Sequence, residues 1–284
     1  MIPFADLKRQ YHNLKEEIDL CINEALGSTA FIGGKQIITF EKLFAKYINV
    51  KHCIGCANGT DSIEILLKSL GIKNGDEVIV PSISWISTSE AVSAIGGKPV
   101  FVDINPDCYT INVNLIKEKI TNRTKAIIPV HLYGQPANMI EIMKISKEYN
   151  LKVLEDCAQA HGAKINNQMV GSFGHAASFS FYPGKNLGAY GDAGGMVTND
   201  DTIARNARMI ANHGQIEKHN HIIEGRNSRL DGIQASILNV KLPYLKKWVK
   251  TRNEIGQVYL KGIVNPLIKR PILKNSYFHA FHLF

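Results

Sequence analysis

Apolar residues along the chain recur at two spacings, and the spacings alternate. Between residues 12 and 26, Leu14, Ile18, Ile22 and Leu26 stand four apart, the period of one face of an amphipathic helix. Residues 37–48 read as helical too, and His52–Cys56 is a short strand candidate. Gly59-Thr60-Asp61 opens a helical stretch over Ser62–Leu70. A buried-strand run follows at Glu77–Val80, ended by Pro81, then a helix around Ser89–Ile95 and a strand at Pro99–Val102. Ala126–Val130, Lys152–Leu154, Ala177–Phe181 and Gly194–Thr198 are further strand candidates. Helices are predicted at Met139–Tyr149 and from about Asp201. Residues 231–262 read as largely helical with a break at Pro243; Leu245, Val249 and Tyr259 supply part of their apolar stripe. Short apolar strands separated by helices predict an α/β fold in three layers, a mainly parallel sheet covered on both faces. In such sheets ligands sit outside the carboxyl ends of the strands.

Composition narrows this picture. The chain has 284 residues, 45% apolar and 20% charged, enough to build a core for one large domain or for one domain and part of a second. Met1–Gln10 lacks an apolar segment and is interrupted by Asp6, Lys8 and Arg9, so no signal peptide is expected. No apolar run approaches the roughly 20 residues of a membrane helix, and a cytoplasmic protein follows by default. The net charge of +8 is spread without a long Lys/Arg run or a reader motif, which argues against a nucleic-acid partner. A basic surface does suit an anionic small-molecule substrate. The five cysteines are odd in number, and Cys53/Cys56 is a C-x-x-C without a second pair. Free thiols are expected, not disulfides or zinc. His213, His219 and His221 lack a converging carboxylate and read as a polar loop, so no metal is expected.

Three segments carry candidate chemistry. In Phe179-Ser-Phe-Tyr-Pro-Gly-Lys-Asn-Leu-Gly, Lys185 lies between Gly184 and Gly188 just past an apolar run. A lysine held so can form a Schiff base with a carbonyl cofactor. It can equally be a surface lysine on a Gly-rich turn. A Walker A loop is excluded: Asn186 follows Lys185, and Phe179 stands where that motif needs glycine. In Leu154-Glu-Asp-Cys-Ala-Gln-Ala-His-Gly162, Asp156 falls at the carboxyl end of a strand. A carboxylate there can keep a pyridinium nitrogen protonated, or simply cap a turn. Gln159 and His161 share its loop; a His161–Cys157 dyad has no oxyanion signature beside it. Asn58-Gly-Thr-Asp-Ser62 stands at a helix start, where free N–H groups bind phosphate and where ordinary helix caps look the same. Trp85, in the loop after a strand, can stack on a flat ring or belong to the core.

Taken together, these residues resemble the DegT-type sugar-nucleotide aminotransferases, a family of fold type I pyridoxal-phosphate enzymes. The resemblance runs from Ile2-Pro-Phe-Ala-Asp-Leu-Lys to the last residues. It is carried by Cys56-Ala-Asn-Gly-Thr-Asp, Gly75-Asp-Glu-Val-Ile-Val-Pro, Pro129-Val-His-Leu-Tyr-Gly-Gln, Glu155-Asp-Cys-Ala-Gln-Ala-His-Gly, the Lys185 segment through Gly191-Asp, and Asn227-Ser-Arg-Leu-Asp. Each is modest alone; their order and spacing make the match specific.

The resemblance implies pyridoxal 5'-phosphate attached to Lys185, its pyridine nitrogen on Asp156 and its phenolic oxygen on Gln159. Trp85 would stack on the ring, and Gly59, Thr60 and Ser180 would hold the phosphate. Asn227 would reach the phosphate of a neighbouring subunit, implying a homodimer with shared sites. His131, His161, Tyr190 and His213 are expected near the substrate. The reaction implied is amino transfer from glutamate to a keto sugar on a nucleotide, at the 3-keto position, with dTDP or UDP. Residues 1–240 would form the large cofactor domain with its N-terminal helix. Residues 241–284 would form a linker helix and the beginning of a smaller C-terminal domain, with His279-Ala-Phe-His-Leu-Phe as its early strand. Members of the family are longer, so a truncated chain is expected. A catalytically silent or regulatory protein of the same fold is the alternative. The related sugar dehydratases that use histidine at the lysine position fit less well, because Lys185 is present.

Overall fold

The computed structural model describes residues 5–284, so Ile2, Pro3 and Phe4 of the N-terminal motif lie outside the described residues. The chain opens with α1 (Leu7–Asn13), α2 (Lys15–Gly27) and α3 (Lys35–Ile48). The helix expected over 12–26 is therefore two. Leu14, at φ −120°, leaves helical geometry between them while its side chain is buried.

A regular alternation follows: β1 (His52–Cys56), α4 (Gly59–Ser69), β2 (Glu77–Pro81), α5 (Ser87–Ala94), β3 (Lys98–Val102), the short α6 (Val113–Ile116), β4 (Thr124–Ile127), α7 (Met139–Tyr149) and β5 (Lys152–Asp156). A small hairpin, β6 (Lys164–Ile165) and β7 (Gln168–Met169), precedes β8 (Ala176–Ser180), β9 (Gly194–Thr198) and α8 (Asp201–Ala211). A second hairpin, β10 (Gln215–Glu217) and β11 (Asn220–His221), leads to α9 (Gly232–Gly262) and β12 (Tyr277–Phe278).

Seven strands form the central sheet in the order β1-β9-β8-β5-β4-β2-β3. Only β9 runs against the rest, pairing antiparallel with both β1 and β8. The expected mainly parallel sheet is thus present. Its strands are covered on both sides: all five residues of β2 and of β9 are buried. Successive side chains on a strand point to opposite faces, and the core divides accordingly. Val78, Val80, Leu154 and Met196 meet α4 and α8 on one face. On the other, Ile79 and Val153 meet α7, and Phe179 and Val197 meet α3 and α9. Cys53 and Cys56 fall on opposite faces for the same reason and are free thiols.

Two expectations fail. The break at Pro243 does not occur; α9 runs through it for 31 residues. An interior proline costs about 3 kcal/mol. Here Leu238, Leu242, Leu245 and Val249 are all buried along the same helix, and each such side chain contributes roughly 1.5–3 kcal/mol. The packing outweighs the lost bond. The early strand expected at His279–Phe284 is also absent. The strand pairing stops at Tyr277–Phe278, which joins β6. Phe281 then adopts φ +42°, and the segment is held by Ala280 N–H on the Gly134 carbonyl and His282 N–H on the Tyr133 carbonyl, each 2.9 Å.

Candidate active site

A cavity of about 1380 Å³ opens beyond the carboxyl ends of the central strands. Gly59 and Thr60 follow β1, Trp85 follows β2, Asp156 ends β5, and Ser180 ends β8 with Lys185 on the loop beyond it. That is where the twist and crossovers of an open parallel sheet leave a crevice. α9 and Phe281–Phe284 supply the opposite wall.

Lys185 is half-buried at a turn closed by its own N–H on the Tyr182 carbonyl, 2.8 Å. Burial pulls its pKa below the ordinary lysine value, while the Asp156 carboxylate opposes that shift. The outcome is an amine that loses its proton more readily than a surface lysine and is the better nucleophile for it.

Asp156 is 5% exposed. Thr88 Oγ1 donates to its Oδ2 at 2.8 Å, and the Ala158 N–H donates to its Oδ1 at 3.1 Å. The carboxylate therefore does brace a turn. Two donors leave lone pairs free for a further N–H facing the cavity. Thr88 was not legible as a site residue in the sequence. Its only signal is its place one helical turn beyond Trp85, on the first turn of α5.

Gln159 accepts the Tyr133 N–H on Oε1 at 2.7 Å. A backbone donor on the carbonyl side fixes the amide orientation and leaves its NH₂ available as a donor. Tyr133 makes this contact from φ +58°. Trp85 is 72% exposed on the cavity wall, its indole uncovered.

At the other end of the cavity, Asn58 caps α4 by accepting the Asp61 N–H at 2.8 Å. Thr60 Oγ1 and Ser87 Oγ share a 2.7 Å hydrogen bond. A Cβ on Gly59 would stand 2.7 Å from Ser180 Cβ, so only glycine lets this helix start approach the end of β8. The acid of the first turn, Asp61, is paired with Arg226 at 2.8 Å. A helix N-terminus with its acid neutralised favours an anion.

The other expected site residues lie elsewhere. His131 is fully buried, with Nε2 3.0 Å from the Glu155 carboxylate and Nδ1 accepting the Ala137 N–H at 2.9 Å. Glu155 also accepts three backbone N–H groups, from Gly171, Phe173 and Gly174. This buried network ties β5 to the loop after β7. His161 is fully buried against Phe179 and Phe181, and neither ring nitrogen meets a partner among the described residues. Burial, reinforced by the Lys185 charge, pushes its pKa down to about 3, so it is a neutral imidazole behind the cavity wall. The Tyr190 ring packs under Lys241 rather than lining the cavity. His213 and Asn227 are exposed and stand outside it. Arg252, Tyr259 and His282 do line it, with no sequence signal beyond their place on α9 and the segment after β12.

The DegT/DnrJ/EryC1/StrS aminotransferase family profile matches residues 12–284. The chain belongs to this family. It is 48% identical over 284 residues to the dTDP-3-amino-3,6-dideoxy-α-D-galactopyranose transaminase of Aneurinibacillus thermoaerophilus, covering 100% of this chain and 78% of that one. It is 44% identical, over 99% of this chain and 76% of the other, to the pleiotropic regulatory protein of Geobacillus stearothermophilus. The crystal structure of S. venezuelae DesV in complex with a ketimine intermediate superposes with a TM-score of 0.97 at 40% identity, covering 100% of this chain and 76% of that one. The aminotransferase family depends on pyridoxal phosphate. The residues present fit that group. Gly59 and Ser180 make a cradle that a Cβ would fill, Asp156 keeps a free acceptor face, the Gln159 amide has a free donor, Trp85 presents an open ring face, and Lys185 is a half-buried amine.

Proposed function

We propose that the chain is a pyridoxal-phosphate-dependent aminotransferase that moves an amino group from glutamate to a nucleotide-linked keto sugar. We place the ketone at ring position 3 and the nucleotide as dTDP or UDP, for surface polysaccharide, glycan or antibiotic sugar biosynthesis. The observation that carries this reading is the convergence of Lys185 and Asp156 on one cavity at the strand ends. The relative that is a dTDP-3-amino sugar transaminase supports the sugar class.

In this reading Gly59, Thr60 and Ser180 hold the cofactor phosphate, Asp156 and Gln159 orient its ring, Trp85 covers one ring face, and Lys185 carries it covalently. When bound, the group supplies an electron sink for negative charge on the carbon beside the reacting nitrogen. Lys185 Nζ, which burial keeps from holding its proton tightly, takes and returns a proton at that carbon. Thr88 and the Ala158 N–H hold the Asp156 carboxylate in place throughout. One lysine serving two half-reactions in turn gives ping-pong kinetics.

Asn227 and His213, exposed outside this chain's cavity, suit a homodimer in which they act on the neighbouring subunit's site. Five free thiols suit the reducing cytoplasm. Among the described residues no helix is long and apolar enough to cross a membrane.

The test supplies cofactor-loaded protein with glutamate and a panel of 3-keto and 4-keto sugars on dTDP and UDP. The reading expects an amino sugar and 2-oxoglutarate in equal amounts from a 3-keto substrate. The relative that is a pleiotropic regulatory protein favours a second reading, a cofactor-binding regulator without turnover. Cofactor binding with no product from any member of the panel would support it instead.

A further inference from the structure

Lys241 lies in the first third of α9 and is fully buried. Among the described residues no carboxylate pairs with it; burial alone lowers its pKa, to about 8. A buried cation without a counter-ion is costly, and an apolar side chain of the same length would fill this space without that cost. What the ammonium does instead is specific. Its Nζ donates to the Gly188 carbonyl at 2.7 Å and stands 4.1 Å from the centre of the Tyr190 ring. A carbonyl and an aromatic face are both neutral partners that can stabilise a desolvated cation.

Both partners belong to the loop that presents Lys185. That loop is short and tightly coiled. The Ala189 N–H closes it on the Phe181 carbonyl at 2.8 Å, and a Cβ on Gly188 would stand 2.4 Å from the Pro183 carbonyl oxygen. Its leg before Lys185 is fixed by β8. Its leg after Lys185 is fixed by α9, where Gln234 Oε1 accepts the Tyr190 N–H at 2.8 Å and Lys241 grips Gly188. Gly188 lies three residues beyond Lys185, so the position of its carbonyl sets where the Lys185 backbone sits.

We propose that Lys241 is a positioning residue for Lys185: its buried ammonium clamps the Gly188 carbonyl and so holds the lysine loop where the Lys185 amine meets the cofactor aldehyde. This rests on the reading that Lys185 carries the cofactor.

The experiment compares two forms of the cofactor. Pyridoxal phosphate must bond to Lys185; pyridoxamine phosphate binds the same pocket without that bond. In Lys241→Met, the rate at which the visible lysine–cofactor band appears falls about tenfold or more, because a small misplacement of a reacting group is that costly. The affinity for pyridoxamine phosphate stays within about twofold of the unaltered protein, because phosphate and ring contacts do not involve the loop's aim. Lys241→Gln, which keeps a donor near Gly188, recovers part of the lost rate. Equal losses for both cofactor forms, or no loss in either, would overturn the proposal. So would failure of both variants to fold, since that makes Lys241 a support of the whole domain. Lys185→Ala is the control on the underlying reading. If it keeps the visible band, the attachment site is wrong whatever Lys241 does.

Discussion

At the scale of the single residue, Asp156 shows how much of the site's chemistry depends on neighbours. Its carboxylate is 5% exposed and is fixed by one hydroxyl, Thr88 Oγ1, and one backbone N–H. Thr88→Val keeps the shape and deletes the hydroxyl. A hydrogen bond to a charged group contributes about 1.5–3 kcal/mol, so transamination is expected to fall roughly 10- to 100-fold. The visible cofactor band should remain, because Lys185 is untouched; steady-state rates alongside absorbance spectra check both parts. Asp156 was legible in the sequence because a short apolar run, Lys152–Leu154, points at it. Thr88 was not, because nothing local says that a hydroxyl on α5 faces the end of β5, 68 residues later. His131 and His161 were drawn into the substrate site by their motifs. The structure places them in the core, one hydrogen-bonded to Glu155 and the other packed against Phe179 and Phe181. Sequence spacing gives the loop a polar residue is on, not the side of the strand end to which its ring turns.

At the scale of the element, the start of α4 and the end of β8 meet where only glycine fits. Gly59→Ala would put a Cβ 2.7 Å from Ser180 Cβ, and overpacking of this kind costs about 1–3 kcal/mol. The strain falls on the phosphate cradle, so we expect weaker cofactor affinity together with a lower melting temperature. Titration of pyridoxal phosphate into the variant, followed by thermal denaturation, measures each. The elements themselves were mostly legible, since His52–Cys56, Met139–Tyr149 and Gly194–Thr198 appear with the bounds that their apolar runs predict. The failures are instructive. Local propensity ends a helix at Pro243, but the buried leucines on either side belong to a contact with α3 and the sheet that no window of sequence contains. The segment His279–Phe284 has the composition of a strand. It lacks a strand partner at that register and docks by backbone hydrogen bonds onto Tyr133 and Gly134 instead.

At the scale of the whole molecule, the fold holds several neutral imidazoles: His282 lines the cavity, while His161 and His279 are buried outside it. Burial pushes His161, His279 and His282 down to about 3. Their unfolded value is near 6.5, so the unfolded chain binds more protons between those limits. Stability is therefore full above about pH 6.5 and is lost as pH falls toward 3, at about 1.4 kcal/mol per pH unit for each group. Urea denaturation at pH 7 and pH 5 should show the drop, and His161→Phe should reduce it; an unchanged slope in that variant would place the acid sensitivity elsewhere. The same assembly places a half-buried amine, a held carboxylate, an open indole and a phosphate cradle around one space. The most direct measurement of that assembly is reduction of the pyridoxal-phosphate-loaded protein with borohydride, followed by peptide mass mapping. The account predicts one phosphopyridoxyl group on Lys185. Stoichiometric labelling of another lysine with Lys185 unmodified, or no labelling at saturating cofactor, would contradict it.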